Sequence, residues 1–166
     1  MSVDTMNEEF VISRTFDAPR DIVFRAFSEA ERLARWWGPK GFDLTVLKLE
    51  FRPGGTFHYR MDGNDLTMWG RFTYREIAAP ELLTFIVSFS DEHGGVTRHP
   101  LSDTWPLETL NTIHFLEHDG QTTLTIRSIP VNATDEERAT FKEGHESMKH
   151  GFGGTMDQLE DYLAEG

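Results

Sequence analysis

The sequence predicts an α+β fold: a curved antiparallel sheet, two short N-terminal helices, and one long C-terminal helix over a cavity. Three observations carry this. Short helical signals follow a first strand, the apolar period falls to about two from Phe42 onward, and a helical period returns from Thr134 to Leu163. Helices segregated to the two ends of a run of strands mark an antiparallel α+β architecture.

Phe10 to Phe16 reads as the first strand. Asp17-Ala18-Pro19 then opens a helix, with Asp17 or Ala18 near the cap, Pro19 in the first turn, and Ile22, Val23, Ala26 and Phe27 on the buried face. A second short helix, about Ala30 to Trp36, ends before Gly38-Pro39, where the chain must turn. Leu44 to Leu49 and Thr56 to Met61 are strands on either side of the turn Arg52-Pro53-Gly54-Gly55. Asp62-Gly63-Asn64-Asp65 is a hairpin signal leading into Leu66 to Ile77, and Leu82 to Phe89 follows Ala79-Pro80. Leu107 to Glu117 pairs through Asp119-Gly120 with Thr122 to Ile129. The segment from Ser90 to Pro106 is long, polar and rich in Gly, His and Pro, as lids often are.

Thr134, with Glu137 three residues on, caps the final helix. Phe141, His145, Met148, Phe152, Thr155, Leu159 and Leu163 recur at steps of three and four and share one face. Gly144, Gly151, Gly153 and Gly154 interrupt that stripe, and each helical glycine costs roughly 0.5–1 kcal/mol relative to alanine. Their number predicts a close approach to this helix by a sheet or a ligand. With no repeat or linker, residues 1–166 form a single domain with a core over about residues 10–163.

Composition narrows the function. A formal charge of -12 with no basic cluster argues against a nucleic-acid partner. Zero cysteines exclude disulfides, thiolate metal sites and a cysteine nucleophile. Met1 to Glu9 is polar and acidic, unlike a signal peptide, and no apolar run approaches the ~20 residues of a membrane span. The expected compartment is the cytoplasm, without membrane insertion. Thirteen Phe and four Trp supply a large apolar interior.

Four motifs occur in order: Phe16-Asp17-Ala18-Pro19, Trp36-Trp37-Gly38-Pro39-Lys40-Gly41-Phe42, Arg52-Pro53-Gly54-Gly55, and Gly151-Phe152-Gly153-Gly154-Thr155-Met156-Asp157-Gln158-Leu159 with Tyr162-Leu163. On these the chain resembles, from about Phe10 to Leu163, the START-like (SRPBCC) helix-grip superfamily of START/Bet v-like architecture. More narrowly it resembles the family named after the activator of the heat-shock protein 90 ATPase. The resemblance implies a single START-like domain whose cavity binds a hydrophobic, lipid-like or aromatic small molecule. It leaves two alternatives: a cavity enzyme of the cyclase, aromatase or hydrolase kind, or a co-chaperone or other protein-binding domain acting on heat-shock protein 90.

Strand alternation places Phe57, Tyr59, Met61, Met68, Gly70, Phe72, Phe85, Val87, Phe89, Ile113, Phe115, Leu124 and Ile126 beneath the long helix, with Asn111 and Ser128 as the rare polar members. Phe141, His145, Met148 and Phe152 face them from the helix. The lining is that of an apolar small-molecule site, although the same aromatics can fill a core. Trp36 and Trp37 plug the corner between helix and sheet, with one of them buried. Arg60 and Arg71 should point away from the concave face into solvent.

His145 is the titratable group on the apolar stripe, able to orient a ligand or move a proton, yet no companion acid or base is set by spacing. His145 and His150 mimic a zinc-protease signature, but a separation of five residues puts them ~140° apart on a helix. His93 and His99 in the long loop are the remaining candidates for adventitious metal binding. No catalytic residue, metal site or cofactor is therefore assigned. Binding is favoured over catalysis because the interior is apolar and lacks an acid–base pair. A homodimer stays open, with Trp69 and Trp105 as exposed aromatics that could cluster.

Overall fold

A computed structural model of the chain describes residues 9–165. The polar segment Met1 to Glu9, read above as unlike a signal peptide, lies outside the described residues except for Glu9. The elements are β1 (Phe10–Phe16), α1 (Arg20–Arg25), α2 (Ala30–Trp36), β2 (Asp43–Leu49), β3 (Thr56–Gly63), β4 (Leu66–Ala78), β5 (Leu82–Ser90), β6 (Val96–Thr97), β7 (Thr109–His118), β8 (Gln121–Pro130), α3 (Asp135–Glu143) and α4 (His145–Ala164). The strands form one antiparallel sheet in the order β1-β8-β7-β5-β4-β3-β2, with β6 added beside β5. The α+β class is as the sequence indicates.

Local chemistry sets the register. Asn64 and Asp65 both take positive φ (51° and 59°), the backbone of a tight two-residue hairpin, and Asp119-Gly120 repeats it (52° and 79°). Register shifts between Val46 and Lys48 and between Tyr74 and Glu76 bend and twist their strands, which curves the sheet. Pro19 itself forms the cap of α1, one residue later than the sequence reading, because its ψ of 155° is extended.

The concave face is filled by interlocking rings. Phe72 stacks on Phe85 at 4.2 Å, with Phe57 and Trp37 edge-on to Phe72 at 5.0 and 5.2 Å. Trp36 is 1% exposed and its indole N–H donates to the Ala26 carbonyl at 2.9 Å, so the corner plug is satisfied as well as packed. Each such ring pair contributes about 0.5–1.5 kcal/mol beyond its buried area.

Two of the sequence motifs meet here. Gly38, held at φ 104°, presents its carbonyl to the Thr155 hydroxyl (2.9 Å) and the Gln158 amide (2.8 Å) of α4, and Gln158 also donates to the Trp36 carbonyl. Asp157 ties in Arg14 of β1 and Lys40 at 2.6 and 2.9 Å. The Trp-Trp-Gly-Pro segment is thus the bracket that seats the long helix.

The C-terminal region departs from a single helix. It divides at Gly144, whose N–H bonds the Thr140 and Phe141 carbonyls and closes α3 before α4 begins. The predicted capping box is present: Glu137 N–H donates to Thr134 Oγ1 at 3.1 Å and Thr134 N–H to Glu137 Oε1 at 2.9 Å. Gly151 and Gly153 have open space where a side chain would stand, so neither marks a close approach. At Gly154 the neighbour is the flexible Lys40 side chain, and at Gly144 it is the ring of Trp105. No helix among the described residues is long and apolar enough to cross a membrane.

Candidate functional site

A cavity of about 90 Å³ lies between the concave face and the segment 98–108. Its floor is Tyr59 and Met61 of β3, Gly70 of β4, Val87, Ser88 and Phe89 of β5, and Thr109 of β7; Trp105, Pro106 and Leu107 roof it. None of these ten residues carries a charge.

Gly70 is what allows Tyr59 to lie here. The two are register partners, and a Cβ at position 70 would stand 2.5 Å from the phenol oxygen. Phe57 and Phe72 hold the Tyr59 ring at 4.6 and 5.8 Å. Burial pushes the Tyr59 phenol up to about 12, opposed by a hydrogen bond from the Trp37 side chain. At neutral pH the group is therefore a neutral O–H.

The roof is latched to α3 at three points. Arg98 pairs with Glu137 and also donates to the Trp105 carbonyl at 3.3 Å, Thr140 donates to Thr104 at 2.9 Å, and the Trp105 ring packs on Phe141 at 5.4 Å. Hydrogen bonding within the Thr134 capping box and the Arg98 guanidinium hold the Glu137 carboxyl below its usual range. His99 sits over Phe89 at 4.6 Å, and its Nδ1 accepts from the Leu101 N–H. Burial lowers its pKa, favouring the neutral ring that this acceptor role requires. The segment 98–108 is thus held over the cavity by an ion pair, a hydroxyl pair, the ring contacts of Trp105 with Phe141 and of His99 with Phe89, and the Val131 N–H bond to the Glu108 carbonyl at 3.1 Å.

Of the residues expected at the cavity, Tyr59, Met61 and Val87 are brought together there, as are Gly70 and Phe89. Met68 lies instead in an open groove beside Trp69, Phe89 and Pro100. Phe57, Phe72, Phe85, Ile113, Phe115 and Leu124, all at most 2% exposed, are packed in the core, and Phe115 also borders an external groove beside Arg20 and Thr123. Asn111 is buried on β7 and spends its amide on Thr109. His145 is wedged edge-on between Phe10 and Phe141 at 5.6 and 5.3 Å, and Phe152 stacks on Phe10 at 5.6 Å. Met148, half-buried on α4, is not in the lining.

The opening is therefore under the lid, not under the long helix, because rings fill the space beneath α4. Sequence alternation did not reach Ser88, Trp105, Pro106, Leu107 and Thr109. The apolar run Trp105-Pro106-Leu107 at the end of a polar loop was the available signal.

Other expectations also move. Trp69 and Trp105 are half-buried, with Trp105 engaged by the lid contacts. Arg71 does not extend into solvent; it donates to the Gly94 carbonyl at 2.6 Å and anchors the turn after β5, while Arg60 pairs with Asp62. Among the described residues no group of three or more His, Asp or Glu is placed to hold a metal ion. The helix glycines open onto an external groove with Arg14, Lys40, Lys149, His150 and Asp157.

Comparison with known proteins agrees with this architecture. The chain superposes on the crystal structure of Ms6760 from Mycobacterium smegmatis with a TM-score of 0.77 at 25% identity, covering 96% of this chain and 92% of that one. A solution structure from Arthrobacter aurescens gives 0.80 at 29% identity, covering 98% and 89%. A protein of the dynemicin biosynthetic locus shares the fold at 18% identity and a TM-score of 0.65, covering 95% of this chain and 47% of that one. No curated protein matches in sequence. The curved sheet gripped by a long helix defines a helix-grip protein of the SRPBCC type, a fold suited to ligand binding. Residues 17–164 match the family model described as Activator of Hsp90 ATPase homolog 1-like protein, and the chain belongs to that family.

Proposed function

We propose that this protein binds a neutral, largely apolar small molecule beneath the lid of residues 98–108. The observation that carries the reading is the uncharged cavity formed by Tyr59, Met61, Val87 and Phe89 and roofed by Trp105. An engineered apolar cavity of about 150 Å³ accepts benzene. At about 90 Å³ the partly open space is smaller than that, and in this reading a ring-sized ligand takes the place of the Trp105 ring. Trp105 itself is held by ring contacts with Phe141 and His99, and α3 offers the surface from which it would part.

A thermal-shift series with benzene, ethylbenzene and indole, on the native protein and on Trp105→Ala, tests this. Ligand at 100-fold its dissociation constant stabilises by about 2.7 kcal/mol, a rise in Tm of roughly 5–10 °C for a chain of this size. Saturable rises, larger for indole in Trp105→Ala, are expected. Absence of any rise in both proteins would remove the binding reading.

A further inference from the structure

We infer that the ligand of this cavity carries a hydrogen-bond acceptor, a carbonyl or ether-type oxygen on an apolar ring-sized body, and that the Tyr59 hydroxyl is the donor that selects it. The inference rests on the cavity beneath the lid being the binding site.

Tyr59 is 5% exposed, yet it borders the cavity. A phenol oxygen can accept and donate, whereas an indole N–H can only donate. Trp37, the polar neighbour of the phenol, has only a donor to offer and cannot take the Tyr59 proton. Among the described residues no acceptor takes that proton. The floor beside it is Gly70, which brings no side chain, and Met61, whose thioether is a weak acceptor. The phenol borders the cavity with no protein acceptor for its proton, so a ligand that supplies an acceptor gains over one that does not.

The remaining lining limits what carries that acceptor. Val87, Phe89, Trp105, Pro106 and Leu107 are apolar, Ser88 and Thr109 are neutral, and no charged residue lines the space. A carboxylate or ammonium would be desolvated without a counter-charge, so the acceptor belongs to a neutral group. Polar recognition discriminates more sharply than added apolar bulk, because a mismatched ligand leaves the site's own group unpaired.

The experiment uses acetophenone and ethylbenzene, which share a skeleton and differ by a carbonyl against a methylene. Both must displace Trp105, so the work of opening the lid cancels in the ratio of their affinities. Calorimetric titration of the native protein and of Tyr59→Phe is the measurement. Phenylalanine keeps the ring packing against Phe57 and Phe72. The expected result is a shift of about tenfold in the affinity ratio toward ethylbenzene on losing the hydroxyl, with ethylbenzene affinity itself unchanged. A ratio equal in the two proteins overturns the selecting role of Tyr59 and leaves the cavity as a binding site. Failure of both compounds to bind the native protein and Trp105→Ala overturns the cavity reading, and this inference with it.

Discussion

The indole of Trp105 rests on the backbone of Gly144: a Cβ at position 144 would stand 2.9 Å from Cζ3 of the ring and 3.3 Å from the Thr140 carbonyl oxygen. The break between α3 and α4 is thus where the lid is seated, and the missing side chain makes the seat. Gly144→Ala should push Trp105 outward. Overpacking of this kind costs about 1–3 kcal/mol. Urea unfolding should show that loss, and tryptophan emission should move to longer wavelength as the ring meets solvent.

Gly70 plays the same part on the cavity floor. Its absent Cβ is replaced by the Tyr59 ring, with the phenol oxygen and Cζ 2.5 and 2.6 Å from where that atom would be. Gly70→Ala must expel Tyr59 from its place between Phe57 and Phe72, destabilising by about 1–3 kcal/mol. Ligand-dependent thermal shifts should disappear together with the stability.

Glu137 closes the capping box of α3 and holds Arg98 of the lid, so one carboxylate serves both. Glutamine preserves the box but not the ion pair. Glu137→Gln should therefore speed amide exchange across residues 98–108 while α3 keeps its protection. Thr134→Ala removes the cap oxygen and should cost about 1 kcal/mol, with exchange rising in α3 itself.

The same group sets a pH dependence. Its folded pKa is depressed below the ordinary 4.5, so the stability it contributes is complete above that value and is lost as pH falls through the folded value. Lid exchange should rise on acidification below about pH 4.5, ahead of global unfolding, and Glu137→Gln should remove that acid step. At the alkaline end the sign reverses. Tyr59 is raised from 10.0 to about 12 and burial raises Tyr74 too, so stability is complete below pH 10 and falls as pH climbs toward 12. Ultraviolet titration should show these two phenols ionising late, together with loss of the fold.

Much of the architecture was readable because strands and helix caps are local. Thr134 and Glu137 announce the box, Asn64-Asp65 and Asp119-Gly120 announce the hairpins, and alternation puts Tyr59, Met61 and Val87 on one face. The location of the cavity was not readable, because it depends on which concave space the rings leave empty. Phe72, Phe85 and Phe115 have the same parity as Tyr59, and only packing against Trp37 and Phe27 shows that they are core. Glycines in the last helix misled for a related reason: Gly151 and Gly153 face open space, and nothing in their own sequence says what lies beside a helix.

In the proposed binding mode Trp105 leaves its seat when a ligand enters. Fluorine NMR of fluorotryptophan-labelled protein, with the Trp105 line assigned from Trp105→Phe, observes this directly during titration with acetophenone. A saturable shift of the Trp105 line, with Trp36 unmoved in the core, is the predicted result. A Trp105 line that stays in place at saturating acetophenone would contradict it.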